Sequence, residues 1–192
     1  MTQTHDVIGI GNAMVDVISH ADDTFLDHMG IEKGIMQLIE RDRAELLYAA
    51  MKDRVQAPGG SVANTIAGLG ELGLTTAFIG KVKDDALGRF YAAGMKDAGT
   101  AFPNAPVVNA AAPTSRSMIF VSPDGERSMN TYLGAGADIG SGDVDVGSAA
   151  EEIADLNDVE VGGPGVVGDV ERAERMTEVF DVAAHVTDHR DP

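Results

Sequence analysis

Short apolar, β-branched runs alternate along this chain with helical stretches that close at glycine, and that alternation confines it to layered α/β architectures. Residues 5–11 suit a buried strand ending in glycine, and Val15, Val17 and Ile18 continue extended chain past Asp16. Asp22 and Asp23 offer N-caps for a short helix to about His28. Residues 35–39 read as a strand with Met36 and Leu38 on one face and Gln37 on the other. Residues 41–54 space Ala44, Leu47, Tyr48 and Met51 as the apolar stripe of an amphipathic helix.

Pro58-Gly59-Gly60 then breaks the chain, and Ser61 is placed to cap a helix running to Leu72, with Gly73 just past its end. Residues 75–82 form the next strand, and Asp84 and Asp85 open a helix that closes at Gly99. A hairpin follows, with strands over 115–121 and 127–133 and the turn Ser122-Pro123-Asp124-Gly125. Its strands and the 35–39 strand fit the main α/β alternation poorly and suit a small separate sheet. From Gly134 the chain turns rich in Gly, Ala and Asp, which predicts loop over 134–147. Short helical pieces are expected at 148–156 and 170–184.

The 192 residues suit one domain, or one with a small appendage. Tryptophan is absent and aromatics are 5% of the chain, so Val, Ile, Leu, Met and Ala must fill the core. A formal charge of −17 repels nucleic acid and anionic membrane surfaces, and both are excluded as partners. The lack of cysteine excludes disulfides, thiolate-bound zinc and thiol catalysis together. Residues 1–16 have no basic n-region, and no apolar run approaches the roughly 18 residues of a membrane span. A cytoplasmic acidic protein is expected.

Three glycine-rich patches invite a phosphate reading. Gly9-Ile10-Gly11 begins a dinucleotide fingerprint, but Met14 stands at its third glycine. Gly80-Lys81-Val82 fails as a Walker loop, because Thr75 and Val82 occupy its glycine and hydroxyl positions. Gly59-Gly60-Ser61 is the stronger patch, since it leads into a helix start whose free N–H groups can meet ligand oxygens. A plain glycine turn is the alternative. Asp16 interrupts the apolar run Met14, Val15, Val17, Ile18, and a buried carboxylate there needs donors. The vicinal diol of a sugar supplies two, and Asn12 adds a donor and an acceptor. A solvated Asp at a bend is the competing reading.

The order Gly11-Asn12-Ala13-Met14-Val15-Asp16, Gly59-Gly60-Ser61-Val62-Ala63-Asn64, Phe78-Ile79-Gly80-Lys81-Val82 and Asp84-Asp85-Ala86-Leu87-Gly88 resembles the N-terminal signature of the ribokinase/PfkB family. The stretch from Thr114 to Val121, continued by Pro123-Asp124-Gly125-Glu126-Arg127-Ser128-Met129-Asn130-Thr131, is similar to its bacterial adenosine kinase-like branch. The likeness covers residues 5–156. It implies a ribokinase-like layered domain, here truncated, with a small β-sheet lid built from strands near 35–39 and 115–133.

By that resemblance Asn12, Asp16, Gly59, Gly60 and Asn64 hold sugar hydroxyls, and Met36, Leu38, Met129 and Leu133 line the same cleft. For those last four, ordinary sheet core is an equal alternative. Arg127 matches a position that neutralises charge on the transferring phosphoryl group, its alternative being an ion pair with Asp124 or Glu126. The family implies ATP and Mg²⁺, a sugar or nucleoside acceptor with adenosine the leading candidate, and lid strands able to pair two subunits as a homodimer.

The family's ATP site and its Gly-Ala-Gly-Asp catalytic run lie in a C-terminal half that this chain does not match. Gly134-Ala135-Gly136-Ala137-Asp138 carries an extra alanine and is read as loop. Residues 157–192 show no family motif and read as a divergent tail, disordered or from a shifted frame. His185 and His189 there read as solvated rather than as metal ligands. The expectation is a kinase by descent that is inactive as this chain alone. A non-catalytic nucleoside- or sugar-binding remnant, or a non-functional fragment, competes with it.

Overall fold

The computed structural model describes residues 5–144. The chain divides into two compact units, residues 7–139 and a second made of residues 1–6 and 140–192. Of the second unit, residues 5, 6 and 140–144 are described, and Ser141–Asp143 forms one 3-10 turn there. The helices expected at 148–156 and 170–184, the tail over 157–192, and His185 and His189 lie outside the described residues.

In the larger unit the elements run β1 (Val7–Ile10), β2 (Met14–His20), α1 (Asp23–His28), β3 (Met36–Leu38), α2 (Arg41–Ala50), β4 (Val55–Gly59), α3 (Ser61–Glu71), β5 (Thr76–Ile79), α4 (Ala86–Asp97), β6 (Thr100–Ala101), β7 (Ser115–Val121) and β8 (Arg127–Tyr132). They build two sheets. A parallel sheet has the order β1-β5-β6, and a mixed five-stranded sheet has the order β3-β8-β7-β2-β4. Every residue of β5 is buried, as the continuous apolar run of a covered parallel strand requires. The small separate sheet expected for β3 and the hairpin is therefore present, and β2 and β4 belong to it as well.

That membership revises two local readings. Asp16 does not trail the first strand. β1 ends at Ile10, the chain crosses between sheets at Gly11–Ala13, and Asp16 sits mid-strand in β2. Pro58-Gly59 is strand rather than break, because β4 is an edge of its sheet, where a residue without an N–H is tolerated. Helix α2 also stops before residue 54. Met51 turns extended, and Asp53 takes a positive φ of 47° that reverses the chain into β4.

Helix ends follow local chemistry. Asp22 caps α1 by accepting from the Phe25 N–H at 2.7 Å. At α3 the cap is Gly60, not Ser61: its φ is 108°, and a Cβ there would lie 2.7 Å from the Asn12 carbonyl oxygen. Gly9 and Gly11 let α3 lie on β1, since a Cβ on Gly9 would sit 2.4 Å from Ile66 Cγ1. The chain after them enters a strand, so the dinucleotide pattern is absent. The expected loop over 134–147 begins as a 3-10 turn at Gly134–Asp138 with Ala135 and Gly136 buried, and Gly136 N–H donates to Ser115 Oγ at 3.0 Å.

Asp85 ties the two sheets together. Its carboxylate caps α4 through the Gly88 N–H at 2.8 Å, and also accepts from the Thr114 N–H at 3.0 Å and the Thr114 hydroxyl at 2.8 Å, just before β7. Burial works to raise the Asp85 carboxyl, but these donors and nearby Lys83 outweigh it and hold the group below the usual aspartate range. Asp85→Ala is expected to lower stability at pH 7 by about 2 kcal/mol, measured by urea unfolding. A depressed carboxyl stabilises above its unfolded pKa and loses that contribution as pH falls through the folded value. The gap between variant and wild type should therefore close on acidification below about pH 4.

Candidate functional site

Strand register decides which side chains share a surface. Asp16 lies beside Ala57 on one flank and Ser117 on the other, Ser117 beside Thr131, and Thr131 beside Leu38. One step along, Ile119 lies beside Met129 and Met129 beside Met36. Because alternate residues face opposite ways, Asp16, Met36, Leu38, Gly59, Arg127 and Met129 all belong to one face of the five-stranded sheet. The 2.9 Å hydrogen bond between the Ser117 and Thr131 hydroxyls on that face agrees with the assignment. Gln37 is on the other face, where its amide donates to Asn130 Oδ1 at 2.7 Å. So is Arg116, 6% exposed, stacked over Tyr48 and 2.8 Å from Glu45 Oε1.

The face is polar at one end and apolar at the other. Asp16 is on β2, whereas Met36 and Leu38 are three strands away, roughly 14 Å at ordinary strand spacing. Met36 is 59% exposed and Leu38 48% exposed, so neither is packed as ordinary sheet core. Met129 is half-buried between them and Ile119.

Asp16 is half-buried, and that burial pushes its carboxyl above the usual aspartate range. Among the described residues, no hydrogen bond or ion pair reaches its carboxylate. Gly59 is packed against it so closely that a Cβ there would lie 2.5 Å from Asp16 Cγ. Behind this contact, the Tyr91 hydroxyl donates to the Gly59 carbonyl oxygen at 3.3 Å. Burial, and then the Asp16 charge, push the Tyr91 phenol above the usual tyrosine range.

The remaining candidates flank this centre. Asn12 is exposed in the crossover between β1 and β2, with its carbonyl against Gly60. Asn64 is in the first turn of α3, with its N–H bonded to the Gly60 carbonyl at 2.9 Å and its side chain exposed. Leu133 lies just past β8, and its carbonyl accepts from the Ser115 hydroxyl. Arg127 opens β8, is exposed, and forms no ion pair among the described residues; its neighbour Asp124 is held by Lys33 at 2.6 Å. Asp138 is exposed, and its carbonyl accepts from Lys81 Nζ at 2.9 Å.

Sequence reasoning missed Tyr91, Ser117, Thr131 and Gly136. The hairpin spacing alone would have paired Ser117 with Thr131. Nothing local marks Tyr91, and Gly136 stands in a run read as loop; both meet the site only through packing, and a Cβ on Gly136 would lie 3.3 Å from the Ala13 carbonyl oxygen and 3.6 Å from Asn12 Cβ.

Residues 31–191 match the profile of the pfkB family carbohydrate kinases. The chain belongs to that family. The match takes in residues 157–191 of the stretch 157–192 that the sequence alone sets apart as divergent.

Among solved structures, this PfkB-family chain is similar to adenosine kinase from Sinorhizobium meliloti, with 42% identity and a TM-score of 0.71, covering 93% of the chain and 54% of the enzyme. It is also similar to a probable sugar kinase from Rhizobium etli CFN 42, with 44% identity and a TM-score of 0.70, covering 80% of this chain and 45% of that one. Fructokinase-1 from Oryza sativa subsp. japonica is 38% identical over 85 residues, 44% of this chain and 26% of the enzyme. The chain thus spans well under two thirds of each, and its ribokinase-like α/β fold is the part they share. Among the described residues no helix is long and apolar enough to cross a membrane.

Proposed function

We propose that this chain carries the acceptor-binding half of a PfkB-type kinase that transfers a phosphoryl group to a hydroxyl of a sugar or nucleoside, adenosine being the leading candidate. The observation that carries the reading is Asp16: a half-buried carboxylate without a partner among the described residues, on the same sheet face as the exposed Met36 and Leu38. A vicinal diol satisfies such a carboxylate with two O–H donors. An aromatic base attached to that sugar would lie over Met36, Leu38 and Met129, with Leu133 at the margin.

Asn12 and Asn64 are assigned to the remaining sugar hydroxyls, and Gly59 and Gly60 to the close backbone approach that a side chain would block. Arg127, without an ion pair among the described residues, is assigned to the charge that builds on the transferring group. The family resemblance supports ATP as donor and Mg²⁺ as its metal. Mg²⁺ carried on the donor phosphates needs only one or two protein carboxylates, and the residues named here are assigned to the acceptor rather than to that ion. Residues 7–139 are assigned to binding of the acceptor.

Isothermal titration of the purified chain with adenosine and with ribose tests the reading. Saturable adenosine binding, tighter than that of ribose, is expected. A folded chain that binds neither would reduce the kinase likeness to ancestry. Arg127→Ala is expected to leave adenosine affinity within about two-fold, because its proposed role lies at the phosphoryl group and not at the nucleoside. Any phosphoryl transfer from ATP to adenosine by the same preparation should fall by ~10²-fold or more in that variant.

A further inference from the structure

Helix α4 faces inward through Gly88, Tyr91 and Met95, which recur at helical spacing and are buried. Gly94 lets β4 come close, since a Cβ there would lie 2.3 Å from Pro58 Cγ. Tyr91, one turn earlier on the same helix face, is fully buried, with its ring 5.5 Å from Phe102 and 6.4 Å from Phe78. A tyrosine in such a cluster must give its hydroxyl a partner, and here that partner is the Gly59 carbonyl at 3.3 Å. Gly59 in turn bounds the Asp16 carboxylate and precedes Gly60, whose positive φ starts α3.

We propose that Tyr91 is a positioning residue: its hydroxyl fixes the Gly59 carbonyl, and so holds the Gly59–Gly60 turn and the Asp16 carboxylate in the geometry that receives a vicinal diol. Tyr91 acts through Gly59 and does not touch the ligand, being buried behind it. The inference rests on the acceptor-site reading above. It assigns to α4 a task that helix packing alone does not need, because phenylalanine would fill the same apolar space.

The test compares adenosine with 2′,3′-dideoxyadenosine, which lacks both ribose hydroxyls, for wild type, Tyr91→Phe and Phe102→Leu. The ratio of the two dissociation constants reports the diol site specifically. Tyr91→Phe is expected to lower that ratio about five-fold while keeping a cooperative thermal melt. Phe102→Leu, which disturbs the same ring cluster but leaves the hydroxyl, is expected to lower the melting temperature and keep the wild-type ratio. A Tyr91→Phe ratio equal to wild type would overturn the positioning role while leaving the diol site intact. A wild-type protein that binds both nucleosides equally, or neither, would remove the acceptor-site reading itself and the Tyr91 role with it.

Discussion

Asp16→Asn is expected to weaken adenosine binding by ~100-fold or more and to leave the melting temperature at or above that of wild type. The two effects have one cause. The carboxylate is half-buried without a donor among the described residues, and burial raises its pKa, so the charged form is disfavoured in the folded chain. A group with a raised folded pKa contributes stability below its unfolded value and loses that contribution as pH rises through the folded one. At neutral pH the ionised Asp16 therefore opposes folding, and an amide of the same shape removes that opposition.

Binding turns the same charge to use. Two hydroxyls donating to a carboxylate are worth about 3 kcal/mol together, which is the ~100-fold expected to vanish in the variant. Affinity should rise with pH as Asp16 ionises, and binding near that midpoint should release protons, seen as a buffer-dependent titration enthalpy. Titration calorimetry and thermal melts of the two proteins decide the matter. A variant that binds as wild type does would show that the ligand does not meet Asp16.

Gly88→Ala is expected to cost about 3 kcal/mol or more, enough to leave much of a marginally stable chain unfolded. A Cβ at this position would lie 1.9 Å from the Lys83 carbonyl oxygen and 2.9 Å from the Thr114 hydroxyl. The first is backbone and cannot swing away, so α4 itself must move. Movement of α4 breaks the Asp85 bonds to Gly88 and Thr114, and it shifts Tyr91 and Gly94 off β4. The expected result in urea is a midpoint far below wild type. A midpoint close to wild type would mean that α4 can slide without loss.

The Asp84-Asp85-Ala86-Leu87-Gly88 motif does more in the folded chain than start a helix. Read along the chain it marks a helix start within a kinase-like signature. In three dimensions Asp85 and Gly88 clamp the helix that backs the Gly59 turn onto the start of β7, while Asp84 pairs with Arg89 at the surface. Its residues support the proposed site from a distance and do not line it.

What could be read without coordinates was whatever a few neighbouring residues settle among themselves. Asp22 and Asp85 cap helices, Gly73 and Gly99 end them with positive φ, and Ser122-Pro123-Asp124-Gly125 closes the hairpin, all as their local chemistry dictates. Gly59, Gly60 and Asp16 stood out as candidates in one dimension, as glycines before a helix start and a lone Asp in an apolar run, whereas the other proposed site residues came mainly from the family resemblance. Sheet membership was not legible. A short apolar strand carries no mark of its partner, so β2 looked like a continuation of β1, and β4 looked like a glycine break until its pairing with β2 was known. Only the tertiary structure decided which strands lie side by side. Register then put Asp16 and Met36 on one face and Arg116 on the other, because pairing is a long-range choice made by burial of whole sheet faces.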